Sequence, residues 1–416
     1  MGGSNSLDAG FPLLVPQLDP PAAPFEEGAV MMFPTRRTFL ASGAAAAAVA
    51  AFIRDAGAEE RPGPGARLTW YGQTASIPGT YNQLAPDADG EWIDQRTGER
   101  YTEFPTPGAA AAGFVTLDLE STEGGELVLW MTLLLAQGSR ASGFIDANGL
   151  VGTRSVADYW ISPEKLAELA PRATGSPRVI RGPYTAGGKT YDVVRIQSQS
   201  GGGWSQHTYD LKSGVCLASG TTVVGAAPLV RDTGNMTGRG AGSTSISWLR
   251  IAGLRRTSLP GPGARFPGAV MSLRTVRYSG TRSAGAAGSS PLTLPIDATF
   301  TIRSARPTHL TAGLVLPGAG DLERVVVPGV IGSLWMDPAT LTSSGRGSRL
   351  DTDSLTGVEA IALGEQSGTV SFSLHAGAAR RTYGYDPRSG LLTRFEFRQR
   401  AGLADEVTAM RLARAS

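Results

Sequence analysis

Histidines, carboxylates, arginines and one thiol are the side chains here that could do chemistry, and their spacing limits what that chemistry is. A serine nucleophile needs a base, and the chain offers three histidines: His207, His309 and His375. His375 follows Ser371 and Ser373 on the polar positions of Val370-Ser371-Phe372-Ser373-Leu374-His375, a period-two pattern that puts all three on one strand face. His207 stands two residues before Tyr209 on a second strand-like run. No Gly-x-Ser-x-Gly elbow follows residue 58. A Ser-His-Asp site assembled in space leaves no local mark, so it stays open beside the alternative of solvated or hydrogen-bonded structural histidines.

The carboxylates cluster once, in Asp87-Ala88-Asp89-Gly90-Glu91-Trp92-Ile93-Asp94. Oxygen ligands on a glycine turn suit calcium, but no Glu falls at the twelfth position of a helix-loop-helix site, and a solvated acidic turn is expected. The same carboxylates could be a glycosidase pair only at a spatial separation that sequence does not state. His-Glu-x-x-His and paired cysteines are absent, so neither a metal nor a cofactor is expected. The Gly201-Gly202-Gly203 run precedes Trp204 on a strand-like segment with no helix start, so it reads as a hairpin tip rather than a phosphate cradle. Cys216, the sole cysteine, excludes an internal disulfide, and its apolar neighbours Val215 and Leu217 describe a buried thiol. Between Asp232 and Asp297 there is no acidic residue. That stretch carries Arg239, Arg250, Arg255, Arg256, Arg265, Arg274, Arg277 and Arg282. Such a segment could face an anionic envelope polymer or lipid headgroups, or its arginines could pair with acids elsewhere in the fold. The formal net charge of +2 gives no reason to expect a nucleic-acid partner.

Thr35-Arg36-Arg37-Thr38-Phe39-Leu40 resembles the twin-arginine export motif. The uncharged run Ala41–Ile53 follows, and then Ala56-Gly57-Ala58, small residues that a signal peptidase accepts with cleavage after Ala58. The run is shorter than the roughly 20 apolar residues of a membrane span. The competing explanation is an Ala-rich helix behind a chance arginine pair. The resemblance implies that Arg36 and Arg37 are read by the twin-arginine (Tat) machinery, that the protein crosses the membrane already folded, and that it resides in the periplasm or outside the cell. Residues 1–30 are Pro-rich and unpatterned, so Met31 or Met32 is the expected start. The expected mature chain, Glu59–Ser416, has 358 residues, and at about 150 residues per domain it suggests two domains.

These candidate residues must be positioned by strands, for amphipathic helical runs are missing and 55 Gly and 27 Pro cut the chain into short pieces. Leu127–Leu135, apolar except for Thr132, is either a strand buried on both faces or a short buried helix. Two unlike motifs recur. Tyr159-Trp160-Ile161-Ser162-Pro163-Glu164-Lys165-Leu166 matches Leu334-Trp335-Met336-Asp337-Pro338-Ala339-Thr340-Leu341 at an offset of 175. Tyr209-Asp210-Leu211-Lys212-Ser213-Gly214 matches Tyr385-Asp386-Pro387-Arg388-Ser389-Gly390 at 176. Ser162 and Asp337 are N-cap residues with proline at the next position, so each copy carries one short helix. The second motif is a hairpin turn, its Asp binding backbone amides and its Gly supplying positive φ. The fold expected is mainly β: two tandem copies of an antiparallel domain, each a curved sheet, half-barrel or sandwich with one short helix. The expected divisions are 1–58 for extension and signal, 59–235 for the first copy and 236–416 for the second. The acidic cluster is expected as an insertion in the first copy, before its Trp.

Strands, one helix, more strands and the Tyr-Asp-x-x-Ser-Gly hairpin resemble the bacterial lipoprotein-carrier and lipoprotein-sorting proteins. That resemblance implies a curved antiparallel sheet holding acyl chains and brings no catalytic residues. Together these readings describe a non-enzymatic extracytoplasmic protein that binds an apolar ligand or an anionic envelope component. The alternative is a secreted hydrolase acting on an envelope or extracellular polymer.

Overall fold

The computed structural model describes residues 62–78, 84–87, 89–94, 97–101, 111–186, 188–200, 203–225, 243–286, 289–316, 320–401 and 404–416. These residues belong to one unit of the chain. Two large antiparallel sheets account for most of them, of nine and ten strands. The first half begins with β1 (Ala66–Pro78) and then makes an excursion through a small sheet of β2 (Leu84–Pro86), β3 (Trp92–Asp94) and β4 (Arg100–Tyr101). Next come β5 (Ala111–Ser121), β6 (Leu127–Gln137) and β7 (Arg140–Gly152), so the ambiguous apolar run is a strand. A two-stranded pair, β8 (Ser155–Val156) and β9 (Trp160–Ile161), leads into α1 (Pro163–Glu168). The half ends with β10 (Arg178–Ala186), β11 (Lys189–Ser200), β12 (Gly203–Asp210), β13 (Cys216–Gly225) and β14 (Ser243–Arg256).

The second half opens with α2 (Gly268–Met271) and the strands β15 (Thr275–Ala286), β16 (Leu292–Ala305), β17 (Leu310–Leu316) and β18 (Gly320–Val326). After α3 (Pro338–Ser343) it continues through β19 (Arg349–Thr352), β20 (Glu359–Gln366), β21 (Thr369–Ala376), β22 (Ala379–Tyr385), β23 (Leu392–Ala401) and β24 (Ala404–Ala415). In space the strand orders are β10-β11-β12-β13-β14-β1-β5-β6-β7 and β19-β20-β21-β22-β23-β24-β15-β16-β17-β18. The two paths match strand for strand, apart from β19 at one edge. In each, the last strand returns to pair with the first. The expected short helix sits at the same point of each half. Strand β14 falls after residue 235 yet completes the first sheet by pairing β1 and β13. Both repeated motifs lie in the interior of a copy, so nothing in them marks where a copy ends.

One local assembly is built twice. Trp160 Nε1 donates to the Ser213 carbonyl at 3.0 Å, and Trp335 Nε1 donates to the Ser389 carbonyl at 2.9 Å. Asp210 accepts from the Ser213 hydroxyl at 2.5 Å and Asp386 from the Ser389 hydroxyl at 2.6 Å. The amides of Ile161 and Met336 donate to the carbonyls of Gly214 and Gly390 at 3.0 and 2.9 Å. Gly214 has φ +79 and Gly390 φ +75, and a Cβ there would lie 2.1 or 2.2 Å from the carbonyl oxygen of Ile161 or Met336. The turn therefore clasps the strand that enters the helix, and only glycine fits at the point of contact. A third pair of residues completes the clasp: Trp70 Nε1 donates to the Cys216 carbonyl at 2.7 Å, and the Tyr278 hydroxyl donates to the Leu392 carbonyl at 3.0 Å. Each of these aromatics follows a register shift in the first strand of its half.

The halves meet over Tyr71, Phe114, Leu134, Phe144, Ala376 and Ala379, and over Val128, Trp130, Val327 and Val330. A buried charge cluster sits beside this seam. Arg67 clamps Asp118 with two bonds of 2.6 and 2.7 Å and reaches Asp353 at 3.1 Å, while Arg255 clamps Asp351 at 3.0 and 2.5 Å. Burial raises the Asp353 carboxyl, but Arg67, Arg255 and two backbone amides outweigh it and hold it below the usual carboxylate range. Asp351 is held down in the same way, against burial, by Arg255 first and Arg67 second.

Candidate functional site

A cavity of about 580 Å³ opens on the first half, within the size range of small-molecule sites. Its floor follows from strand register. Directly paired residues share a sheet face, and two such rows cross β11 to β14. One row is Arg195, Thr208, Ala218 and Arg250; the other is Gln197, Gln206, Gly220 and Trp248. The middle of the floor is therefore small, Ala218 and Gly220, between larger side chains on either side. That size step leaves the space.

The acidic cluster forms the roof, through Asp89, Gly90, Glu91 and Trp92. Two glutamines hold it down: Gln197 Nε2 donates to the Asp87 carbonyl at 2.8 Å and Gln206 Nε2 to the Gly90 carbonyl at 2.9 Å. Gly90, at φ +88, lies on the Arg195 side chain, where a Cβ would fall 2.3 Å from Cδ. Trp92 packs with Leu84, Tyr101 and Trp204. Asp87 turns the loop: one oxygen accepts the amides of Asp89 and Glu91, both at 2.9 Å, and the other takes Arg100 at 3.0 Å. Both Asp87 oxygens are thus used inside the protein. The expected acidic turn is present, but it lies over the cavity as a roof, and it has no counterpart among the described residues of the second half.

The electrostatics of the cavity centre on Arg195, which is 8% exposed. Its Nη2 donates to the Pro183 carbonyl at 2.6 Å, and among the described residues it makes no ion pair. Burial pushes its pKa down, and Tyr184, Asp89 and Asp87 only partly pull it back. Arginine does not give up its proton in proteins, so this guanidinium carries a cost of burial, only partly compensated, that a bound anion would relieve. Arg250 stands across the floor. The buried Trp248 Nε1 has no hydrogen-bond partner among the described residues. Arg181 lines the cavity, yet its side chain is committed to the carbonyls of Leu166, Ala167 and Leu169 at the end of α1.

The three histidines are not brought together. His207 lies 3.6 Å from Asp158, stacks on Tyr209, and has its pKa lowered by burial against the pull of Asp158. His309 is buried beside Thr308 and Glu126, and burial lowers its pKa. His375 does meet Ser373, at 2.8 Å, as the strand pattern expects. Ser373, however, is 0% exposed and also accepts from Arg380 at 3.0 Å, so its hydroxyl is closed to a substrate. Cys216 is buried, and burial raises its thiol far above the usual range.

The acid-free arginine stretch does not form one surface. Arg250 faces the cavity, Arg255 pairs with Asp351, Arg265 with Glu123 and Arg282 with Glu406. Arg256, Arg274 and Arg277 are exposed. Arg239, the Gly201-Gly202 tip, and the export residues Arg36, Arg37 and Ala58 lie outside the described residues. Sequence reasoning missed Arg195, Gln197 and Trp248. A usable signal was present in Val193-Val194-Arg195-Ile196, where a charge interrupts an apolar strand.

No protein-family model matches the chain, and no curated protein does. Among solved structures it is similar to a protein of unknown function of the DUF3598 family from Nostoc punctiforme. The identity is 11%, with 83% of this chain and 95% of that one covered, at a TM-score of 0.15. It is also similar to transferrin-binding protein B from Haemophilus parasuis, at 9% identity, 84% and 76% coverage and a TM-score of 0.13. The same protein from serogroup B Neisseria meningitidis aligns at 10% identity, 84% and 77% coverage and a TM-score of 0.15. Scores this low establish neither a family nor a function.

Proposed function

We propose that this chain is an exported, non-enzymatic binding protein whose first half holds a small ligand carrying a negative charge and an apolar body. The observation that carries this is Arg195, a guanidinium without an ion pair among the described residues, buried in the wall of a cavity whose other wall holds Trp248 and Arg250. Arginine supplies a fork for a carboxylate, sulfonate or phosphate, and the indole supplies an apolar surface. The twin-arginine motif, the run Ala41–Ile53 and cleavage after Ala58 support location in the periplasm or outside the cell. Among the described residues no helix is long and apolar enough to cross a membrane.

The test is a fluorescence titration of the purified protein with anilinonaphthalene sulfonate, a probe with an anionic group on an aromatic body. Saturable binding is expected, weakened at least tenfold in Arg195→Gln and weakened less in Trp248→Leu, with circular dichroism confirming that both variants fold. Probe binding unchanged in a folded Arg195→Gln protein overturns the site. Export is tested separately: Arg36-Arg37→Lys-Lys should leave the protein in the cytoplasm, and normal export of that variant overturns the assignment.

A further inference from the structure

The second half carries, on the equivalent sheet face, an array of arginines that register pairs against one another. Arg380 on β22 is directly opposite Arg398 on β23, Arg394 on β23 is opposite Arg411 on β24, and Arg277 on β15 is opposite Arg414 on β24. Arg411 pairs with Ser279, and Arg398 with Val407, so these rows share one face. Arg400 extends it, opposite Asp405. All are exposed except Arg394, which is half-buried.

Like charges directly opposite one another on a sheet are destabilising. This face holds three such pairs, with Glu396 and Asp405 as the acids on this face of the same four strands. Glu396 is engaged by Arg398. Arg277, Arg400, Arg411 and Arg414 make no ion pair among the described residues. A chain whose net charge is only +2 thus concentrates about five net positive charges on these four strands of one face, with Asp297 of β16 next to them opposite Ser279. The array spans four strands and eight residues of β15, roughly 14 by 27 Å at ordinary sheet spacings. It is two-dimensional, which matches a charged plane better than a single threaded polymer. At its Arg400 end, Leu292 and Leu294 of β16 are 54% and 49% exposed. Leu294 pairs with Arg282, so these leucines sit on the other side of the β15–β16 ribbon, bared near its end.

We infer that this face docks on an anionic lipid surface, with the arginines on the headgroups. Basic residues near such a surface each add to binding, and salt weakens that contribution. The proposal is independent of the cavity in the first half.

The experiment is co-sedimentation of the full chain with phosphatidylcholine vesicles, with and without phosphatidylglycerol. Binding is expected only with phosphatidylglycerol and should fall steeply with salt. The triple variant Arg394→Gln, Arg398→Gln, Arg411→Gln should lose at least tenfold in affinity, whereas Leu292→Ser with Leu294→Ser, on the opposite side of the ribbon, should bind as the parent does. Arg303→Gln with Arg349→Gln, exposed arginines outside the array, and Arg195→Gln in the cavity should bind as the parent does. Equal binding to neutral vesicles, or equal loss in the Arg303/Arg349 control, overturns the proposal. So does capture of soluble polyphosphate by the same arginines without any vesicle binding.

Discussion

The two halves of this protein share a strand path and differ in what covers one face of it. In the first half the floor positions Ala218 and Gly220 are small and the acidic excursion lies over them, leaving a cavity with a desolvated arginine in its wall. In the second half the equivalent positions are Arg394 and Glu396, β15 runs to β16 without an excursion, and the face is open. Duplication preserved the clasp that sets the path and left the opposite face to diverge. The scaffold is therefore constrained by backbone geometry, while the site rests on a few side-chain sizes and one inserted lid.

The largest effect should come from the charge cluster that ties both halves together. Arg67→Met strands Asp118 and Asp353 in the interior and should cost about 3–5 kcal/mol in urea unfolding. The pH dependence has a definite sign. Asp351 and Asp353 have carboxyls lowered in the folded state, so their contribution is present above the unfolded value near about 4 and is lost as pH falls through the lowered folded values. The acid-unfolding slope of Arg67→Met should be shallower than the parent's. An unchanged stability would mean the halves do not depend on this cluster.

Gly214→Ala and Gly390→Ala should each cost about 2–4 kcal/mol, from positive φ together with contact against a carbonyl oxygen. Because the clasp is the same in both halves, the two losses should agree within about 1 kcal/mol. If one substitution is tolerated and the other is not, the equivalence of the halves is broken.

The smallest change in stability, about 1–2 kcal/mol, is expected for Ala218→Arg, which imports the residue of the second half into the floor of the first. Its effect on the cavity should be large: anilinonaphthalene sulfonate binding should disappear while the unfolding midpoint shifts little. Retained probe binding would show that the difference in floor residues is not what makes the site.

Most of the scaffold was legible along the chain because its determinants are local. Ser162 caps the helix by accepting from the Lys165 amide at 3.1 Å, and Asp337 does so from the Ala339 amide at 2.9 Å. Asp, Ser and Gly at fixed spacing specify the turn, and alternation specifies Val370–His375 as a strand. These interactions span a few residues, so residue type and spacing carry them. The match of Trp70 to Tyr278 was hidden, since the first-half excursion moves that pair to an offset of 208 and the residues differ.

What only the tertiary structure decided is which side chains share a face and what lies over them. The described arginines of the acid-free stretch, from Arg250 to Arg282, are dispersed, whereas those forming the open array come from residues 277 to 414 and are gathered by strand pairing. Arg195 became a cavity residue because register sets it opposite Thr208 and in line with Ala218, under a lid drawn from residues 87–92. The sequence by itself determined the strands, caps, turns and duplication, since each depends on contacts within a few residues. Register and burial are long-range properties, so the placement of charge, open or covered, paired or alone, was settled only when the sheets assembled.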